Sequence, residues 1–282
     1  MTERFPWPRK MLMVRPNGFR VDYAINPYMR DARGHLQTVD SEKAFKQWDE
    51  LKGVFERLGI SVEVMEGDPD FPDMVFCANQ TLPYLDPQGR LQVILSRMHS
   101  EPRKGEIRHF RAWAEARGIT ATEMTDFDFE GAGDAIWNYG TREIFGGFGF
   151  RTQAAAYDQI QKRCGVNLYR LRLVSEHFYH LDTCFAVLSA DTAAYVHEAF
   201  DDEAVQILHS KFKKLIRIHE DEARMHFAAN CVSVDERHIV LQKGAPRFVQ
   251  NLRTEGFIPV EVETGEFMKS GGSVFCMKQQ LP

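Results

Sequence analysis

The sequence predicts an α/β chain made from one repeated unit and closed into a five-bladed, pseudo-symmetric α/β propeller. Three observations carry that expectation. Amphipathic helices begin near residues 41, 104, 153, 202 and 245, and each feeds a strand-like run. Four of the five stop at a glycine followed at once by β-branched or aromatic residues, as when a left-handed residue closes a helix. The first strand-like stretch, MLMVRP, runs on into NGFRVDYAINP, without the glycine-rich phosphate loop that a doubly wound sheet would place there. Such a ring would take up residues 1–282 as one domain, with its centre as the natural pocket.

The elements follow in order. Ser41 opens a run with Ala44, Phe45, Trp48, Leu51, Phe55 and Leu58 at helical spacing, and Gly59 ends it before ISVEVM. The second helix, about 104–117, closes as ARGIT; the third, 153–164, as CGVNLY; the fifth, 245–255, as EGFIPVEV. The fourth, about 201–210, leads into LIRIHE without a glycine. Between them MLMVRP, DMVFCANQ, LQVILS, TREIFGGF, CFAVLS, CVSV and HIVL read as short strands. One unit takes roughly 45–60 residues, within the range of repeat architectures.

Composition narrows the function classes. Apolar residues make up 44% and charged residues 27%, ordinary for a globular chain that builds its own core. A net charge of −5 gives no electrostatic reason to bind nucleic acid or an acidic membrane. The basic run Lys211-Phe212-Lys213-Lys214 is short and flanked by acidic stretches, so it reads as a solvated face. The five cysteines, at 77, 164, 184, 231 and 276, form no Cys-x-x-Cys pair, hence neither a disulfide framework nor a zinc ribbon. The start, MTERFPWPRK, lacks an apolar leader core, and no stretch approaches the ~18 apolar residues of a membrane span. A reducing cytoplasm is the expected setting. The sequence leaves open whether the chain forms a homo-oligomer.

Several short stretches could carry chemistry. In HLDTC, residues 180–184, a strand would put His180 and Asp182 on one face, ~6.6 Å apart, suited to acid–base work or to a cation. A metal site there is disfavoured, because residues 180 and 184 would stand ~13 Å apart on an extended strand and His177 would face the other way. In FDFEGAGDAIW, Glu130 and Asp134 flank a small-residue turn with no Lys or Arg beside them in sequence, which suits a cation pocket as well as a plain turn. Asn79 ends the apolar run PDMVFCANQ. Arg103 and Arg151 each precede a helix start, where surface arginines are common, yet Arg is the natural bidentate clamp for a carboxylate. Finally, Cys276 sits behind Gly-Gly in the terminal SGGSVFCMKQQLP, either as filler in the last core strand or as a reactive thiol.

In order along the chain, F-x-A-N, E-G-x-G-D, H-x-D and G-G-S-x-x-C resemble the guanidino-group-modifying enzymes, the pentein superfamily. Within it the chain looks most like the dimethylarginine dimethylaminohydrolases and arginine dihydrolases. The resemblance runs from MLMVRP to GGSVFCM and implies the five-bladed propeller. It implies Cys276 as nucleophile, His180 as general acid and base, and Glu130 and Asp182 as the carboxylates gripping a guanidinium. Asp134 matches the end of the E-G-x-G-D motif, lengthened here by Ala132. Arg103 and Arg151 match the pair that holds a substrate α-carboxylate, and Asn26, in INP, matches a substrate contact near a lid. No cofactor and no metal are implied; the partner is a small guanidino or ureido amino acid.

The implied chemistry is hydrolysis of a guanidino C–N bond of arginine or a derivative. A guanidinium is a resonance-stabilised cation, so attack on its carbon asks for a soft thiolate, and the bound cation itself favours ionisation of the thiol. One departure matters. Arginine deiminases and bacterial dimethylargininases usually carry Asp where this chain has Asn79, whereas the dihydrolase branch has Asn. An amide removes a charge and adds an N–H donor that suits the oxygen of a ureido group, so the ureido product is a candidate second substrate. Two other classes share the resemblance: amidinotransferases, which pass the amidino group to an amine, and a non-catalytic ribosome-binding propeller. Cys77 and Cys184 are rival thiols that read as core residues.

Overall fold

The computed structural model describes residues 6–282. Its fifteen strands form five separate three-stranded sheets, arranged as blades of one ring. The first blade contains β1 (Lys10–Val14), helix α1 (Ser41–Arg57) and β2 (Ser61–Met65). The second has β3 (Thr81–Leu85), β4 (Leu91–Leu95), α2 (Ile107–Glu115) and β5 (Thr120–Glu123). The third opens with a single turn, α3 (Gly131–Asp134), then β6 (Ala135–Asn138), β7 (Glu143–Phe148), α4 (Ala156–Cys164) and β8 (Leu168–Arg172). The fourth holds β9 (Phe185–Ser189), β10 (Thr192–Tyr195), α5 (Asp202–Lys211) and β11 (Lys214–Arg217). After α6 (Glu220–His226), the fifth has β12 (Val232–Ser233), β13 (His238–Gln242), α7 (Pro246–Thr254) and β14 (Ile258–Val262). A last turn, α8 (Gly265–Met268), leads to β15 (Gln279–Leu281).

Each blade repeats one pattern. An inner strand pairs antiparallel with a middle strand, and a helix carries the chain from there to a parallel outer strand. The inner strand of the first blade is β15, which pairs antiparallel with β1 through Lys10↔Leu281 and Leu12↔Gln279. The two ends of the chain thus close the ring, and β15 also touches β3 of the next blade. The radial arrangement leaves each blade only short, protected sheet edges around the centre.

The helices form for the reasons their sequences suggest. Asp40 caps α1 by accepting from Lys43 N at 3.0 Å, and Ala44, Trp48, Leu51 and Phe55 lie on its buried face. Burying Trp48, Leu51 and Phe55 contributes about 1.5–3 kcal/mol each. Gly59, Gly118, Gly165 and Gly256 all adopt positive φ just past their helices, while α5 ends without one, at Phe212 in extended backbone.

Four local expectations change. Residues 72–80 form no strand: Pro72–Val75 is a 3-10 turn opened by proline, and the run stays apolar because it is buried on every side. HLDTC is not a strand either, since Leu181–Thr183 turns as 3-10 helix, with Thr183 N and Oγ1 both donating to His180 O. Cys276 lies in a turn ahead of β15 rather than inside the last strand. The second helix starts late, at Ile107, because Glu101–Glu106 winds as 3-10 helix. In that winding residues i and i+3 eclipse, which brings Arg103 onto Glu106.

Candidate active site

The turns just ahead of the five inner strands meet at the ring centre. They carry Asn79 before β3, Glu130 to Asp134 before β6, His180 and Asp182 before β9, Asn230 before β12, and Cys276 before β15. A closed circuit of hydrogen bonds ties them. Ala78 N donates to Cys276 O, Gly133 N to Ala78 O, and Phe275 N to Asn230 O. Leu181 N donates to Asp134 Oδ1 at 3.0 Å, and Asn230 Nδ2 to Asp182 O at 3.0 Å. Every blade therefore braces its neighbours through the residues that face the centre.

The thiol of Cys276 is 3% exposed and donates to Asp182 Oδ2 at 3.1 Å. Burial and then the Asp182 charge push the thiol well above its ordinary range. Burial likewise lifts Asp182 to about 7, against the hydrogen bond from Cys276 and the cations Lys278 and Arg103. Lys278 is itself buried, its Nζ 3.2 Å from the centre of the Phe275 ring, and burial lowers it to about 7. At that separation one proton can serve both the thiol and the carboxylate.

Beside them His180 Nε2 meets Glu130 Oε2 at 2.5 Å. Burial opposes the charge on Glu130, but the hydrogen bond and charge of His180, aided by Arg151, hold it well below the usual carboxylate range. Its other oxygen accepts from His99 N at 3.0 Å. Arg151 Nη1 stands 3.6 Å from Glu130, so the turn has the basic neighbour that the linear sequence did not display.

Asn79 is 2% exposed and oriented by Arg103, whose Nη1 donates to Oδ1 at 3.0 Å. Its Nδ2 has no partner, and neither does Asp182 Oδ1. A Cβ on Gly133 would lie 2.2 Å from that Nδ2 and in ordinary contact with Asp182 Oδ2 at 3.6 Å, so Asn79 crowds a position only glycine leaves open. A buried donor and a buried acceptor are thus orphaned beside the thiol, each at a cost that a ligand would relieve.

Cys276, His180, Asn79, Arg103, Arg151 and Asn26 line one enclosed cavity. Its volume of about 20 Å³ holds roughly a water and no amino acid. The cover is the segment around Ile25 and Asn26. Arg151 Nη2 donates to Ile25 O at 2.5 Å, and Asn26 Nδ2 to Ser270 O at 3.0 Å.

Two assignments shift. Asp134 lies beneath the site: burial lifts it to about 6, and its oxygens accept from Thr152 Oγ1 and Leu181 N, bracing the turn that presents His180. We therefore read it as a strut rather than a substrate contact. Arg103 faces the cavity, but it is bound by Glu106, Asn79, Asp73 O and Phe76 O, which leaves one Nη1 hydrogen for a ligand. That rules out a free bidentate fork in this closed form. Cys77 is pushed up to about 12 by burial, and Cys184 is also raised, its Sγ pointing at the carbonyls of His180 and Leu181.

The structure adds residues that motif reading passed over. Asp73 lines the cavity and accepts from Tyr23 and Ser270, and Asn230 touches the thiol. For Asn230 a signal was present: Phe76-Cys77-Ala78-Asn79 recurs as Phe227-Ala228-Ala229-Asn230, one F-x-A-N ahead of each of two inner strands. Among the described residues no cluster of three or more His, Cys, Asp or Glu is placed to hold a metal ion.

A five-bladed α/β ring with a central thiol, an imidazole–carboxylate pair and a second carboxylate defines the guanidino-group-modifying class of proteins. Within it the chain belongs to the family described as N,N dimethylarginine dimethylhydrolase, eukaryotic, which matches residues 15–281. It is 34% identical over 271 residues to the bifunctional arginine dihydrolase/ornithine cyclodeaminase ArgZ of Synechocystis sp., covering 95% of this chain and 37% of that protein. The chain thus spans little more than a third of that relative's length. It is 36% identical over 278 residues to the N(G),N(G)-dimethylarginine dimethylaminohydrolase of Mycobacterium tuberculosis, covering 99% of this chain and 87% of that one. The N-terminal domain of ArgZ, solved with a reaction intermediate covalently bound, superposes with a TM-score of 0.89 at 34% identity and 97% coverage of both chains. Among the described residues no helix is long and apolar enough to cross a membrane.

Proposed function

We propose that this chain hydrolyses a guanidino C–N bond of arginine or an arginine derivative through a covalent intermediate on Cys276. The observation that carries the reading is the 3.1 Å hydrogen bond from Cys276 Sγ to Asp182 Oδ2, with Asn79 Nδ2 and Asp182 Oδ1 left unpartnered. Relatives named as arginine dihydrolase and as dimethylarginine dimethylaminohydrolase support it, as does a covalent intermediate in an ArgZ domain. Solved relatives holding arginine or ornithine support a small amino acid as substrate.

A guanidinium entering beside Asp182 supplies the charge that Asp182 lacks, so the shared proton leaves and a thiolate forms. The thiolate bonds to the guanidinium carbon. His180 gives a proton to the departing nitrogen, the C–N bond breaks, and an amine or ammonia leaves a cationic thiouronium on Cys276. His180, held by Glu130, then takes a proton from water as its oxygen bonds to the same carbon. The C–S bond breaks with its electron pair returning to Sγ, the second proton passes to the medium, and a ureido product is released. Arg151 and Asn26, which line the cavity, are the groups we assign to the amino-acid end of the substrate.

The identity of Asn79 extends the reading to a second hydrolysis. Arg103 holds its oxygen, so Nδ2 is left as a free donor. A ureido oxygen accepts there, while a ureido N–H₂ donates to Asp182 Oδ1. A carboxylate at position 79 would repel that oxygen. Replacing Asn79 by Asp is therefore expected to shift the products from arginine toward the ureido compound and away from ornithine. An unchanged ratio of ammonia to ornithine would reject the second step while leaving the first intact.

A further inference from the structure

We infer that Asn230 is a further catalytic residue of this site, its side-chain amide donating to the Cys276 sulfur whenever that sulfur is anionic. The inference rests on Cys276 as the nucleophile and deepens that reading.

The orientation of the amide is fixed by its surroundings. Asn230 is fully buried, and its Oδ1 accepts from three backbone N–H groups of the nucleophile turn: Ser273 at 3.1 Å, Phe275 at 3.0 Å and Cys276 at 3.3 Å. A flipped amide would point two hydrogens at three others, so the oxygen belongs on that side. Nδ2 must then face the other way, where it meets Asp182 O at 3.0 Å and Cys276 Sγ at 3.2 Å. One hydrogen goes to each. The same side chain therefore holds the backbone that carries the thiol and donates to the thiol itself.

The comparison with Asn79 sharpens the role. Both asparagines end an F-x-A-N run ahead of an inner strand, so they hold equivalent places in the second and fifth blades. Asn79 keeps its Nδ2 unpartnered, whereas Asn230 directs its own at sulfur. One copy of the motif is left for the ligand and the other for the nucleophile.

A hydrogen bond to an anion is stronger than one to a neutral acceptor, so this contact favours thiolate over thiol. That matters because burial and Asp182 both press the thiol toward its neutral form. The donor acts twice in each cycle. It stabilises the attacking thiolate, then receives the same thiolate when the C–S bond breaks and the electron pair returns to Sγ. In the thiouronium between these steps the sulfur carries no negative charge, and the bond weakens.

The test reads ionisation rather than turnover. Thiolate absorbance is followed against pH, with Cys276→Ala as the blank, in the wild type, Asn230→Asp and Asn230→Ala. Asp keeps the acceptor for the three N–H groups and loses the donor; Ala loses the donor without adding charge. Both variants are expected to titrate about one pH unit or more higher, with roughly tenfold slower alkylation by chloroacetamidine near neutrality. A titration unmoved in both, or raised only in Asp, where added charge alone explains it, overturns the inference. If Asn230→Ala does not fold, the native protein labelled with ¹⁵N-asparagine decides. The Asn230 side-chain amide resonances should move on alkylation of Cys276, and unmoved resonances overturn the inference. Loss of activity in Cys276→Ala stands apart from all of these outcomes, so the assignment of the nucleophile is judged separately.

Discussion

Cys276 Sγ and Asp182 Oδ2 lie 3.1 Å apart, close enough to share one proton and too close to hold two negative charges without a cation. The resting site is thus protonated by design, and the substrate's own charge is what would ionise it. Binding should therefore release a proton. Asp182 is raised by burial to about 7, so near and below that pH it holds a proton which a guanidinium would displace. Calorimetric titration of Cys276→Ala with arginine at about pH 6.5, in two buffers of different ionisation enthalpy, isolates Asp182. Net release approaching one proton is expected, diminishing as pH rises past the resting value. Equal heats in both buffers would remove the protonated Asp182 from the account.

In the proposed mechanism His180 works through a fixed geometry, with Nε2 on Glu130 Oε2 at 2.5 Å inside a buried site. Glu130→Gln keeps the shape and removes the charge that orients the imidazole. A fall in kcat of roughly 10²–10⁴ is expected, with the fold preserved, since both steps route a proton through His180. Thermal melting beside steady-state kinetics separates this from unfolding, and a variant retaining most of its kcat would remove Glu130 from the proton path.

The cover over the cavity depends on Gly271. Its φ is +88°, and an added Cβ would lie 2.5 Å from Tyr179 Oη and 2.6 Å from Asn26 Nδ2. Gly271→Ala should cost about 1–3 kcal/mol and displace Asn26, raising KM more than it lowers kcat. Melting temperature and KM together check this; wild-type KM would mean that the contact between Gly271 and the cover does not serve binding.

Much of the architecture was legible because helix ends leave strong local signals. Gly59, Gly118, Gly165 and Gly256 mark four of the five repeats in one dimension, and α5 leads into its strand without such a mark. The central turns were less legible. A short apolar run reads alike as strand or buried turn, so Pro72–Val75 and Leu181–Thr183 were mistaken for strands. The candidate residues still meet in spite of that error, because the ring gathers the turns whatever their local winding. Roles set by pairing did not survive it. That Arg103 is bound by Glu106, or that Asp134 braces Leu181, depends on contacts across turns and blades that no linear spacing encodes. Asn230 was hidden only because its copy of F-x-A-N has no charged or nucleophilic residue to draw notice.

The central claim is a covalent bond between Cys276 and the guanidino carbon, and intact mass after rapid acid quench reads it directly. During turnover of arginine the protein should gain the mass of arginine less one ammonia, located on the peptide containing Cys276 and absent from Cys276→Ala, which should form no product. Ureido product or ornithine appearing with Cys276→Ala, or an adduct on another residue, would contradict the account.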